Sequence, residues 1–222
     1  QCFDQVATIK QFAKSSEAVP SFNRIPEMMR RALRKCFEGR PGVVHIDIPE
    51  NIMNTKVKCD IAFWEPHQYR MIELPKASDY QIERTAQLLT SANFPIIHAG
   101  SGVIHSGAKE ELKQVAEKLQ AMVTTSWAGR GALDENNPLA VSMVHIEANN
   151  HVRNDADVVL VLGSRLGETD WWGKAPYWNA SQKVIQVDID PSILGANKPV
   201  ELAIQSDIKA FLQQLLTKLD DV

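Results

Sequence analysis

The sequence predicts an α/β protein: a parallel sheet with helices on both faces, preceded by a shorter strand-and-helix segment. Three observations predict it. From Ser78 onward, short apolar runs alternate with stretches of helical periodicity. The run from Asp157 to Leu162 is almost unbroken in apolar residues, as a strand buried on both faces requires. Between the early helix–strand pair and this alternation, residues 51–77 carry Pro66 and Pro75 and lose all periodicity, which marks a connection between domains.

The elements follow in order. Residues 1–24 are weakly patterned. Ile25 to Phe37 reads as a helix with Pro26 in its first turn, Met29, Ala32, Leu33 and Cys36 on one face, and Gly39 as its stop. Val43 to Ile48 is a strand ended by Pro49. One helix and one strand cannot bury each other, so they belong to a larger unit. Ser78 with Gln81 makes a capping box that opens a helix with Ile82, Ala86 and Leu89 inward. Pro95 to Ala99 is a short buried strand, and Gly100-Ser101-Gly102 a turn. Ala108 to Leu119 is a helix with Leu112, Val115, Ala116 and Leu119 inward. Met122 to Thr125, Asp157 to Leu162 and Val184 to Val187 are strands. Asp207 caps a last helix whose inner face is Ile208, Phe211, Leu212, Leu215 and Leu219.

Composition narrows the function. The 222 residues carry a formal net charge of −3, which argues against a nucleic-acid or anionic-membrane partner. No apolar run approaches the roughly 18 residues of a membrane span. Cys2, Cys36 and Cys59 are odd in number and widely spaced, so neither a disulfide framework nor a CxxC metal site is expected, and the default setting is the reducing cytoplasm. The phosphate-loop pattern GxxxxGK[ST] and the GxSxG nucleophile elbow are absent. His145 and Glu147 form an HxE without the PCxxC that a zinc deaminase needs. No metal site is expected.

In such sheets, ligands bind beyond the carboxyl ends of the strands, so the residues after each strand carry the information. Gly100 and Gly102 either let a backbone approach a phosphate or simply make a tight turn. Thr124-Thr125-Ser126-Trp127 offers hydroxyls and amides to a phosphate or ribose, or is a hydrogen-bonded loop. Arg165 follows the Asp157–Leu162 strand and suits a phosphate, a base or a structural ion pair. Asp188 can accept ribose hydroxyls, and Asp190 can cap the short helix begun by Pro191. An NAD fold would place its acid about 20 residues after the glycine loop. Asp188 lies much further on, so an ordinary dehydrogenase fails on register. Trp171, Trp172 and Trp178 form either a ligand platform or an interface loop.

These loops, in this order, resemble the central domain of thiamine-diphosphate enzymes of the acetolactate synthase and pyruvate oxidase type. The resemblance is carried by Pro95 to Val103, Ser106 to Leu112, Gly129 to Ala132, Asn137-Pro138-Leu139, Ala156 to Leu166, and Val184 to Pro191 with Gly195 and Asn197. Upstream, Gln1, Asp4, Lys14, Ile25-Pro26 and Gly39 to Pro49 are similar to the end of the family's pyrimidine-binding domain. The resemblance implies three segments. Residues 1–50 are the C-terminal part of a pyrimidine-binding domain, 51–67 a linker, and 68–222 a complete Rossmann-like central domain.

The resemblance also implies a function. The intact enzyme would be a thiamine-diphosphate-dependent 2-keto acid decarboxylase or carboligase, acetolactate synthase-like, needing Mg²⁺ and assembling as a homodimer or homotetramer. There the cofactor's ylid attacks a 2-keto acid, CO₂ leaves, and the carbanion passes to an acceptor. The family's activating glutamate would precede Gln1 and its GDG…N signature would follow Val222, so the 222 residues alone are expected to be inactive and the chain to be cut from a longer enzyme. No catalytic residue is expected in this chain; Gln1 and Lys14 align near the substrate. Arg70, Gly100, Gly102, Ser126, Arg165, Asp188, Ile189 and Asp207 align with nucleotide-contacting positions of FAD-binding members. Two departures stand out. Ser142 to His145 replaces a Gly-x-x-Gly segment near the flavin, and Gly167-Glu168-Thr169 follows Arg165 where acidic residues and an arginine are usual. The adenine half of a site, for FAD or ADP, is therefore better preserved than the flavin half. An oxalyl-CoA decarboxylase or 2-hydroxyacyl-CoA lyase, holding a CoA nucleotide, is the alternative. A non-catalytic nucleotide-binding or structural module is another.

Overall fold

A computed structural model describes residues 3–58 and 61–220; the candidate Gln1 lies outside them. The chain forms two compact units, residues 1–73 and 74–222.

In the first unit, Asp4 accepts the Ala7 amide at 2.8 Å and so caps α1 (Gln5–Lys10). Strand β1 (Ser15–Ala18) pairs in parallel with β2 (Val44–Asp47), joined by α2 (Ile25–Phe37); α3 (Glu50–Met53) follows. The sequence did not signal α1 or β1, because β1 reads Ser-Ser-Glu-Ala and carries no apolar alternation. The bounds of α2 are those expected, and Gly39 ends it at φ +57°. Its buried face differs. Met28 and Ala32 point inward with Val19 and Ile52, while Met29 and Leu33 are exposed. Both pairs have i, i+4 spacing, so periodicity alone could not choose between them.

The second unit begins with α4 (Asp79–Thr90), opened by the expected Ser78–Gln81 capping box. Then follow β3 (Pro95–Ala99), α5 (Ser101–His105), α6 (Lys109–Leu119), β4 (Met122–Thr125), β5 (Ala140–Val141), α7 (Ile146–Asp155), β6 (Val158–Leu162), β7 (Lys183–Asp188), β8 (Leu202–Gln205) and α8 (Ile208–Asp220). The six strands are all parallel in the order β5-β4-β3-β6-β7-β8. The order reverses between β3 and β6, which is the switch point where such sheets open a crevice.

Alternation of side chains gives the sheet two faces. One carries Ile97, Ala99, Val123, Leu160, Leu162, Ile185 and Val187, packed against apolar residues of α4, α6 and α8. Each such valine, leucine or isoleucine, fully buried, stabilises the unit by roughly 1.5–3 kcal/mol. The other carries Ile96, Val159, Val161 and Val184, packed with Val152 of α7 and with Leu166 and Trp178 from the segment between β6 and β7. All five residues of β6 are buried, as the unbroken apolar run required. The last helix buries Ile208, Phe211, Leu212 and Leu215 as expected.

Candidate functional site

The carboxyl edge at the switch point is built by backbone meeting backbone. Gly100 follows β3 and donates its N–H to the Leu162 carbonyl at 2.8 Å. Gly163 follows β6, has φ +57°, and donates to the Val187 carbonyl at 2.9 Å. A Cβ on Gly100 would sit 2.1 Å from the Gly163 carbonyl oxygen, and one on Gly102 would sit 2.6 Å from the Gly163 Cα. These glycines are therefore required by loop-to-loop contact, whatever ligand lies above them. The loop after β4 leans on the same edge: Ser126 donates its N–H to the Ala99 carbonyl at 3.0 Å, and its Oγ accepts from the Gly129 amide at 3.1 Å.

The other predicted residues also stand at strand ends. Asp188 closes β7, is buried, and accepts the Asp190 amide at 2.9 Å. The Ile189 carbonyl accepts from Gln205 Nε2 at 3.4 Å. Asp207 follows β8 and caps α8 through the Ala210 amide at 3.0 Å. Asp190 caps the Pro191 turn through the Ser192 amide at 3.0 Å. Arg165 is exposed and folds over Gly167, whose Cβ position lies 3.0 Å from its Nε. Its carbonyl accepts from Asn197 Nδ2 at 2.8 Å. Two candidates belong to the first unit. Arg70 belongs to the first unit, with its guanidinium 4.3 Å from the Phe37 ring centre. Lys14, also in that unit, donates its ammonium to the carbonyls of Glu38 and Arg40.

Below this edge lies a polar cluster that sequence reasoning missed. Thr124, His98, Val161 and Gln186 stand at one level across β4, β3, β6 and β7. His98 is fully buried; its Nδ1 lies 3.0 Å from Thr124 Oγ1 and its Nε2 3.4 Å from Asp170 Oδ1. The neutral tautomer with hydrogen on Nε2 suits both partners. Arg153 Nη2 is 3.8 Å from Asp170 Oδ1, and Ser164 Oγ donates to Asp170 Oδ2 at 3.3 Å. Trp178 Nε1 donates to the Asp170 carbonyl at 2.8 Å, and its ring meets His98 edge-on at 5.2 Å.

Burial holds His98 below the usual histidine range, despite the carboxylate beside it. Burial alone would raise Asp170, but His98, Arg153 and Ser164 outweigh it and keep the carboxyl ionised. Burial also lowers Arg153 and Lys198. The available sequence signal was His98 itself, a polar residue inside an apolar strand.

The three tryptophans divide. Trp178 is in the core, whereas Trp171 and Trp172 are 41% and 43% exposed. Trp127 is 63% exposed and does not pack inside. A shallow depression of 510 Å³ lies beside the start of α6 and residues 131–137, and none of the predicted site residues lines it. Among the described residues, no group of three His, Cys, Asp or Glu gathers as a metal site, and no helix is long and apolar enough to cross a membrane.

The strand order and the loop-built edge define a doubly wound, Rossmann-like α/β domain with its topological switch point between β3 and β6. Residues 82–215 match the family described as the thiamine pyrophosphate enzyme central domain. The chain belongs to the thiamine pyrophosphate enzymes. It is 34% identical to the acetolactate synthase large subunit of Cyanidium caldarium, over 94% of this chain and 36% of that protein. It is 28% identical to the oxalyl-CoA decarboxylase of Escherichia coli K12, over 97% of this chain and 38% of that protein. The crystal structure of benzoylformate decarboxylase from Polynucleobacter necessarius shares the fold, with a TM-score of 0.78 at 21% identity over 96% of this chain and 39% of that one. The chain thus spans little more than a third of the length of the curated relatives it matches.

Proposed function

We propose that this chain is part of a thiamine-diphosphate-dependent 2-keto acid decarboxylase or carboligase of the acetolactate synthase kind, and that its second unit binds an adenine nucleotide, FAD or ADP, at the switch-point crevice. The observation that carries the nucleotide reading is the edge itself. Arg165 follows β6 and Asp188 ends β7, and Gly100, Gly102 and Gly163 hold the floor so close that no side chain intrudes. An arginine suits the diphosphate, and a carboxylate beyond the next strand suits the ribose. Thiamine diphosphate with Mg²⁺, when bound in the intact enzyme, supplies the carbanion chemistry. No thiamine or Mg²⁺ contact is assigned to the described residues.

An oxalyl-CoA decarboxylase or 2-hydroxyacyl-CoA lyase is the second reading. His145 favours it, because this residue caps α7 at a place where the resemblance to FAD-binding enzymes calls for glycine. Such an enzyme would hold the nucleotide part of CoA at the same edge. The test uses the intact enzyme with thiamine diphosphate and Mg²⁺. Release of CO₂ from pyruvate is expected, with FAD retained through gel filtration if the first reading holds. Turnover only of a 2-hydroxyacyl or oxalyl thioester of CoA would favour the second. Activity with neither substrate class would contradict both. The assembly expected is a homodimer or homotetramer, read by light scattering.

A further inference from the structure

The backbone that carries Arg165 is held from several sides at once. Ser164 and Leu166 are buried, and Arg165 between them is exposed. Leu166 anchors one side, packed with Ile96, Val159, Val161 and Trp178 on one face of the sheet. The Ser164 carbonyl accepts from Gln186 Nε2 at 3.0 Å, and the Arg165 carbonyl accepts from Asn197 Nδ2 at 2.8 Å. Ser164 Oγ accepts the Leu166 amide at 3.1 Å and so closes a small ring around the Arg165 backbone.

The same hydroxyl donates its hydrogen to Asp170 Oδ2 at 3.3 Å. Asp170 is itself buried, with His98 Nε2 3.4 Å and Arg153 Nη2 3.8 Å from its other oxygen. A buried carboxylate beside a buried guanidinium adds little net stability over apolar residues of equal volume, and its attested use is to fix one arrangement among several. Here it fixes the hydroxyl that closes the ring around Arg165. Gln186 is buried too, and its Oε1 accepts the Gly195 amide at 2.8 Å. Gln186 and Asn197 therefore tie the Arg165 turn to the segment that follows Asp188. An arginine recognises a phosphate chain through a planar fork of donors, so its fit depends on where its backbone stands. A lysine is a point charge on a flexible stem and depends on this far less.

We infer that Ser164, Gln186 and Asn197 are positioning residues that fix Arg165 for the diphosphate of a nucleotide, with the buried Asp170 anchoring the Ser164 hydroxyl. This rests on the nucleotide reading given above and goes beyond it. Recognition of the diphosphate lies in the support of the arginine as well as in its charge. The buried cluster of His98, Asp170 and Arg153 thereby acts on the ligand edge without touching the ligand.

Calorimetric titration of the intact protein with ADP tests it, with circular dichroism confirming each variant's fold. Ser164→Ala and Asn197→Ala should each weaken ADP about three- to thirtyfold, within the range of coupling between neighbouring groups. Asn197 lies outside the buried cluster, so its variant keeps the test open if Ser164→Ala does not fold. Both substitutions are then repeated on Arg165→Lys, which keeps the charge and loses the fork. There each should change the affinity by less than about twofold. Unchanged ADP affinity in Ser164→Ala and Asn197→Ala overturns the inference and leaves the nucleotide reading standing. Losses as large on Arg165→Lys as on the wild type also overturn it, since these residues would then support the loop and not the arginine. A wild-type protein that does not bind ADP removes the nucleotide reading and this inference together.

Discussion

Gly163→Ala tests the construction of the crevice floor. Two costs apply and can be separated. The backbone at φ +57° costs a non-glycine residue about 1–2 kcal/mol. The added methyl would also lie 2.5 Å from Gly102 Cα and 2.9 Å from its N, well inside the 3.5–4.0 Å of an ordinary carbon contact. Backbone cannot rotate away as a side chain can, so overpacking adds about 1–3 kcal/mol. The expected loss is about 2–5 kcal/mol, a large share of the roughly 5–15 kcal/mol that holds a domain together. Gly107→Ala is the control. It has φ +67° but nothing within 4 Å of the added methyl, so only the conformational cost of about 1–2 kcal/mol applies. Urea unfolding followed by circular dichroism reads both as shifts in midpoint at constant slope. Equal losses in the two variants would refute the reasoning, because the loop-to-loop contact would then contribute nothing.

Three further outcomes are expected. His98 is neutral when folded and its value is lowered, so an unfolded chain takes up a proton near pH 6.5 while the folded one does not. The stability this contributes is complete above that pH and falls as the pH drops, by up to about 1.4 kcal/mol per unit, until the folded value is reached. His98→Gln should flatten the decline measured by urea unfolding between pH 7.5 and 5.5, and an unaltered slope would contradict the assignment. Trp178→Ala removes a fully buried ring and the bond to the Asp170 carbonyl, so a loss of about 3–5 kcal/mol is expected in the same assay. Ser78→Ala removes one half of the capping box of α4 and should cost about 0.5–2 kcal/mol, read as a lowered Tm.

Elements with strong local chemistry were legible in the sequence. The apolar strands β3, β4, β6 and β7, the capped α4 and the amphipathic α6 and α8 lie within a residue or two of their expected bounds. Weakly apolar elements were not. Strand β5 has two residues, β8 is an alternating edge strand after a loop, and α7 reads Ile-Glu-Ala-Asn-Asn-His-Val-Arg-Asn-Asp with only two clear apolar positions. Their places are fixed by pairing and packing with segments distant in sequence.

The candidate site divides in the same way. The positions of Gly100, Gly102, Ser126, Arg165 and Asp188 at strand ends were legible because the strands were legible, whereas Ile189 and Asp207 entered as candidates through the family resemblance. The His98–Asp170–Arg153 cluster joins three segments across 72 positions, so no local pattern announces it.

The central claim is that the switch-point edge of the second unit is an adenine-nucleotide site organised by Arg165. Calorimetric titration of ADP into the intact protein and into its Arg165→Ala variant tests it most directly. Saturable binding with one ADP per chain, abolished or strongly weakened in the variant while its unfolding midpoint stays put, is the predicted result. Binding that is equally tight without the Arg165 guanidinium, or no binding to the wild-type protein, would contradict it.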